Sequence, residues 1–287
     1  MLGSYVATQA VEAGWETWAT YADHPIELPG CRMVQLDIRD STKVGEVVAG
    51  IGPDAIIHTA ALVKPDVCEQ NKADAFGINV LGTHNLLVAA AKVGAHFVHV
   101  STDLVFSGEH NPIKENAFLN PPNYYGLTKA AAETAIYASN TSWAIARTSI
   151  IYGPCKFPFL ESFSDKVIES LRAGKPIGGF VDQYRPAIPA WNLADVLLEL
   201  AQRRLTGIYH AVCPEPITRN QFARRIAQVF GYDESLITPL YMDETKAAAY
   251  RPKMLVLDVV NTSRVLNTRL LTFEEGIQEL RARMVDA

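Results

Sequence analysis

Short apolar runs alternate with amphipathic stretches through the first 150 residues, and this alternation restricts the fold more than any other feature of the chain. Residues 2–13 have helical periodicity and stop at Gly14, where a residue without Cβ easily leaves the helix. Residues 17–21 and 33–37 read as strands, and residues 41–51 as a helix with Asp40 or Ser41 near its N-cap. Residues 54–61 read as a buried strand running into small residues, and 73–93 as one long helix. Residues 95–100 then form a strand that delivers Ser101-Thr102-Asp103 at its carboxyl end. A loop over 107–123, rich in Pro and Asn, leads to a helix carrying Tyr125 and Lys129, and 143–148 is a further strand. Strands and helices in this order predict an α/β, doubly wound parallel sheet covered on both faces. Ligands bind beyond the carboxyl ends of such strands, where Ala60-Ala61, Thr102 and Thr148-Ser149 all fall. Past Tyr152 the alternation weakens and Gly and Pro cluster, as at Gly174-Lys175-Pro176. The expected division is therefore a sheet domain over 1–151 and a smaller lobe over 152–287, with some segments returning to the sheet.

Composition excludes several classes. Of 287 residues, 48% are hydrophobic and 20% charged, enough to bury a substantial core without the signature of disorder. The net charge of -5 comes without a basic block, so nucleic acid is not an expected partner. No apolar run approaches the roughly 20 residues of a membrane span, and no signal-type segment opens the chain; the expectation is a cytoplasmic protein with no membrane partner. Cys31, Cys68, Cys155 and Cys213 are far apart and form no C-x-x-C, and the seven histidines form no H-E-x-x-H. Reduced thiols and no metal are expected.

Tyr125 and Lys129 lie four apart, hence on one helix face, so the ammonium can sit near the phenol. A fixed positive charge favours phenolate and brings the tyrosine, ordinarily titrating near pH ~10, within reach of proton transfer. Tyr125 then suits the general acid for a ketone being reduced, and Thr102 a hydroxyl that holds the same substrate oxygen as charge develops on it.

These pieces resemble the extended short-chain dehydrogenase/reductase superfamily, and within it the dTDP-4-dehydrorhamnose reductase group, over essentially the entire chain. The matching residues are His58-Thr59-Ala60-Ala61, Asp66 and Glu69 followed by Asn79 and Gly82, Ser101 to Phe106, Tyr125 to Lys129, Arg147-Thr148-Ser149, Tyr152-Gly153, Asp182-Gln183 and Arg251-Pro252. The resemblance implies a Rossmann-like NAD(P)-binding domain over 1–151, a mainly substrate-binding lobe after it, and a catalytic triad of Thr102, Tyr125 and Lys129. It implies cofactor contacts from Gly3, Asp37, Ile38, Ala60, Ala61, Tyr125, Lys129 and Ser149. It also implies a small-molecule nucleotide sugar in a pocket with Val63, Asp103, Phe106, Arg185 and Arg251. Surface salt bridges are the plain alternative for the two arginines, and a backbone-bonding helix residue is the preferred reading of Asn79. The reaction implied is NAD(P)H-dependent reduction of a 4-keto nucleotide sugar, as in rhamnose biosynthesis. Dehydratases of the superfamily place an acidic pair after the threonine, whereas Asp103 here is followed by Leu104, which favours simple reduction. The segment Asp182-Gln183-Tyr184-Arg185-Pro186 departs from the reductase pattern and leaves the sugar open. Rival readings are a non-catalytic subunit like the beta subunit of methionine adenosyltransferase, and a nucleotide-sugar epimerase or dehydratase. A homodimer is admissible.

Rossmann folds of this kind open with a strand and a glycine-rich turn whose amides hold the pyrophosphate. Met1-Leu2-Gly3 matches only the last glycine and the helix after it. The expectation is that Met1 is an internal methionine of a longer reading frame, or that the chain is truncated, and that two neighbouring strands lack partners. The alternative is a short protein that has lost dinucleotide binding. NADPH is favoured by the resemblance, while Asp23, placed just after the strand at 17–21, leans toward NADH.

Overall fold

The computed structural model describes residues 1–155, 157 and 159–285. The chain runs α1 (Leu2–Glu12), β1 (Trp18–Tyr21), β2 (Arg32–Gln35), α2 (Ser41–Ile51), β3 (Ala55–His58), α3 (Pro65–Gln70), α4 (Lys72–Phe76), a π-helical stretch Gly77–Gly82, α5 (Thr83–Val93), β4 (His96–Thr102), α6 (Tyr124–Tyr137), β5 (Trp143–Thr148) and β6 (Ile150–Tyr152). There follow α7 (Phe163–Arg172), β7 (Ile177–Phe180), β8 (Tyr184–Pro189), α8 (Ala190–Gln202), β9 (Gly207–His210), β10 (Pro216–Thr218), α9 (Arg219–Phe230), β11 (Ile237–Leu240), α10 (Val260–Val265) and α11 (Phe273–Val285).

Consecutive residues of β4 decide the layering. Phe97 and Val98 point to opposite faces, and both are fully buried. Phe97 packs with Leu36, Val44, Val48, Leu86 and Ile145 beneath α2 and α5. Val98 joins Leu2, Val6, Ala144, Leu193 and Leu197 beneath α1 and α8. Burial on both faces is what a parallel sheet requires, and β3, β4, β5 and β9 are parallel neighbours in that order. β9, from the C-terminal half, thus returns to this sheet. β6 and β10 flank β8 in a second sheet, and β7 and β11 form a parallel pair.

β1 and β2 pair with each other but not with β3. The inner edges of β1 and β3 therefore carry backbone groups without a strand partner among the described residues, at the interruption expected from the sequence. The space between them is continuous with the carboxyl ends of the strands, forming one cavity of about 1410 Å³ lined by both β1 and β3.

Residues 73–93 are not one helix. The widened turn Gly77–Gly82 separates α4 from α5 and presents Asn79, whose side chain accepts from Leu62 N (2.8 Å) and donates to Leu62 O (3.1 Å) and Thr128 Oγ1 (2.9 Å). Asn79 thereby ties the loop after β3 to α6. Residues 59–61, expected as strand, are loop, because β3 loses its ladder partner after His58 pairs His99.

Candidate active site

The carboxyl end of β4 meets the first turn of α6. Asn123 caps that helix, its Oδ1 accepting from Gly126 N at 2.9 Å, and Glu69 accepts from Tyr124 N at 2.7 Å. Gly126 lies against the Leu104 carbonyl so closely that a Cβ has no room. This contact places the Tyr125 phenol close enough to the Thr102 hydroxyl for the two to interact. Thr102, Tyr125 and Lys129 are all buried and all line the cavity, together with Ala60, Ala61, Thr148, Ser149 and Leu104.

Electrostatics here differ from the expectation. Burial raises the Tyr125 pKa, with the nearby Thr102 hydroxyl the largest opposing effect. The phenol is therefore protonated at neutral pH. Lys129 does not act on it, because its ammonium turns to His99, with Nζ 2.9 Å from Nε2. Desolvation lowers the lysine pKa to about 7, and Glu133 opposes that shift. His58 is lowered to about 3 and His99 well below its ordinary value, both by burial first and by the Lys129 charge second.

Asp103 does not face the cavity. Its carboxylate receives both Nε (2.8 Å) and Nη2 of Arg185, the Ser149 hydroxyl, and the Thr102 hydroxyl at 3.2 Å. Asp103 thus anchors Arg185 of β8 across the end of β4, in a buried pair rather than a surface one. Arg185 lines the cavity, as do Arg251 and Arg219. Arg251 is also held by Asp66, with Nη2 to Oδ2 at 2.5 Å. Arg219 was not singled out from the sequence; it opens α9, stacks on Phe163 at 4.4 Å, and forms no ion pair among the described residues. Its pKa falls to about 10, through burial and then its Arg185 and Arg251 neighbours. A half-buried arginine unmatched by a carboxylate and crowded by two others leaves room for an anion. Its place at the start of an amphipathic segment, after a Thr-x-x-Gln capping box, was the only signal available.

Other expected residues fall as follows. Val63 is exposed and lines the cavity. Phe106 does not line it: the ring is buried with Val105, Ile113 and Leu255, and Arg147 lies over it at 4.9 Å. Ile38 lines the cavity and packs on Gly82, but Asp37 does not, its carboxylate being taken by Arg39. Asp23 lines the cavity. Gly3 sits at the start of α1, where a Cβ would lie 2.9 Å from Thr59 Oγ1. The wall of Gly3, Ala60 and Ala61, with Lys129 and the Thr148 Oγ1, unpartnered among the described residues, beyond it, fits the nicotinamide and ribose end of a dinucleotide.

A family model described as the RmlD substrate binding domain matches residues 1–285. The chain is 30% identical to the probable low-salt glycan biosynthesis reductase Agl14 of Haloferax volcanii, over 100% of this chain and 96% of that protein. It is 30% identical to methionine adenosyltransferase 2 subunit beta of Xenopus tropicalis, over 86% of this chain and 75% of that one. Among solved structures, dTDP-4-dehydrorhamnose reductase of Bacillus anthracis in complex with NADP superposes with a TM-score of 0.84 at 27% identity, covering 98% of this chain and 97% of that one.

Proposed function

The chain belongs to the family of the RmlD substrate binding domain, and on that premise we propose that it reduces a 4-keto nucleotide sugar, the sugar being a dTDP-linked deoxyhexose. One observation carries this reading: Thr102 and Tyr125 both line a cavity whose lining also contains Lys129 and the cluster Arg185, Arg219 and Arg251. The first group suits a carbonyl oxygen, the second a diphosphate.

The cavity lining would hold NADPH or NADH, whose chemistry when bound would be hydride donation to the carbonyl carbon. Tyr125 delivers the matching proton to the oxygen, so that C=O becomes CH–OH; a phenol kept protonated by burial is ready for that role. Thr102 donates a hydrogen bond to the same oxygen as negative charge grows on it. Lys129, turned to His99 rather than to Tyr125, would hold the ribose hydroxyls of the cofactor with its remaining N–H groups. Gly3, Ile38, Ala60, Ala61 and Ser149 shape the cofactor's path, while Asp37, engaged by Arg39, is set aside from it. Leu104 fills the place where a second acid would assist loss of water, which supports reduction over dehydration. Arg219 and Arg251 hold the diphosphate, and Arg185 borders it on its Asp103 anchor.

The test is NAD(P)H oxidation with a dTDP-4-keto-6-deoxyhexose. Turnover by the wild type and a loss of about 10²–10⁴-fold in Tyr125→Phe are expected. No oxidation with any 4-keto nucleotide sugar would instead favour a non-catalytic subunit, the reading that the 30% identity to a methionine adenosyltransferase beta subunit supports.

A further inference from the structure

The same face of β4 that sends Ser101 to Glu133 sends His99 to Lys129. Lys129 is 1% exposed, and His99 Nε2 is the only hydrogen-bond partner of its ammonium among the described residues. An ammonium has three donors. One is spent on His99, and two remain for the cavity that Lys129 lines.

The groups around the ammonium are few. On α6 itself stand Tyr125 and Glu133, and Glu133 is already bonded to Arg147 of β5 and to Ser101. On β3, His58 pairs in register with His99, their rings 5.2 Å apart, and its Nε2 is 3.0 Å from Thr83 Oγ1 of α5. Of these groups, His99 is the one among the described residues whose ring nitrogen lies within hydrogen-bond distance of the ammonium. The acceptor role fixes the His99 proton on Nδ1, which has no partner among the described residues. An unsatisfied buried donor is costly, so the arrangement is not one that core packing alone selects.

We propose that His99 is a positioning residue: as a neutral acceptor it holds the Lys129 side chain along β4, keeps the ammonium protonated, and leaves two N–H groups aimed at the cofactor ribose. The last part rests on the reductase reading above; the first two do not. A neutral imidazole accepts without adding charge to a closed site.

The experiment is an NMR titration of the full chain labelled in the lysine ammonium and histidine ring nitrogens, with the Lys129 signal identified by its loss in Lys129→Met. His99→Leu removes the acceptor and should lower the Lys129 midpoint by about one pH unit, a tenfold fall in proton affinity. His99→Gln, whose amide oxygen reaches the same place, should stay within about 0.3 unit of the wild type. An unchanged midpoint in His99→Leu, or equal shifts in both variants, overturns the proposal. If His99→Leu does not fold, the wild-type ring decides alone: a proton on Nδ1 supports the acceptor role, and a proton on Nε2 overturns it. None of these readouts needs substrate, so a chain that showed the shift yet reduced no nucleotide sugar would sink the reductase reading and leave this one standing.

Discussion

Lys129→Met tests the buried charge at the centre of the site. Methionine matches the aliphatic stem in length, so packing is nearly conserved. What changes is the ammonium, whose pKa of about 7 in the folded chain contrasts with its ordinary 10.5. Between these values the unfolded chain binds more protons than the folded one, so the lysine's contribution to stability rises with pH. It is most unfavourable below pH 7 and vanishes above about pH 10.5. The two pKa values give a burden of about 4 kcal/mol at pH 7 and about 2 kcal/mol at pH 9. Methionine removes this burden but also strips His99 of its donor, at about 1–3 kcal/mol. The net gain at pH 7 is thus roughly 1–3 kcal/mol, and near zero at pH 9. Urea unfolding of both proteins at the two pH values measures it. Packing and hydrogen-bond losses are the same at both pH values, so the diagnostic quantity is the change in the gap, about 2 kcal/mol. A gap that does not move with pH refutes a depressed Lys129, whatever its absolute size.

Arg219→Met should raise KM for the nucleotide sugar at least about tenfold with little change in kcat, since loss of one charge-assisted contact costs about 1.5–3 kcal/mol of binding. Steady-state kinetics would show it, and a fall in kcat at constant KM would contradict a diphosphate role. Glu133→Gln leaves the fully buried Arg147 without its counter-charge and should cost roughly 3–5 kcal/mol in urea. Combining it with Arg147→Met should recover much of that loss. An apolar segment of about five residues fused ahead of Met1 is expected to pair with the open edges of β1 and β3 and to stabilise the chain by several kcal/mol at about 1 kcal/mol per hydrogen bond. An unchanged urea midpoint would count against that pairing.

Local pattern was sufficient wherever one element's own chemistry decides its shape. The helix at 219–230 and the strand at 143–148 lie where their capping and apolar residues place them. Asp40 caps α2, and Tyr125 and Lys129 share a helix face because a turn of helix brings residues four apart together. The π-helical widening at Gly77–Gly82 was not legible, since apolar spacing looks the same through one widened turn. Nor was the fate of Phe106, whose place in the core is set by Arg147 forty-one residues later in the chain.

The sequence by itself determined that a doubly wound sheet would carry a threonine, a tyrosine and a lysine to the ends of its strands, because periodicity and spacing act over single turns and single pleats. Only the tertiary structure decided what those groups are electrically. It turned Lys129 to His99, thirty residues before it, matched Asp103 to Arg185 of β8, and left Arg219 without a counter-charge among the described residues. The reason is that a pKa depends on water excluded and on charges met through space. Both belong to the packed chain and to no stretch of it.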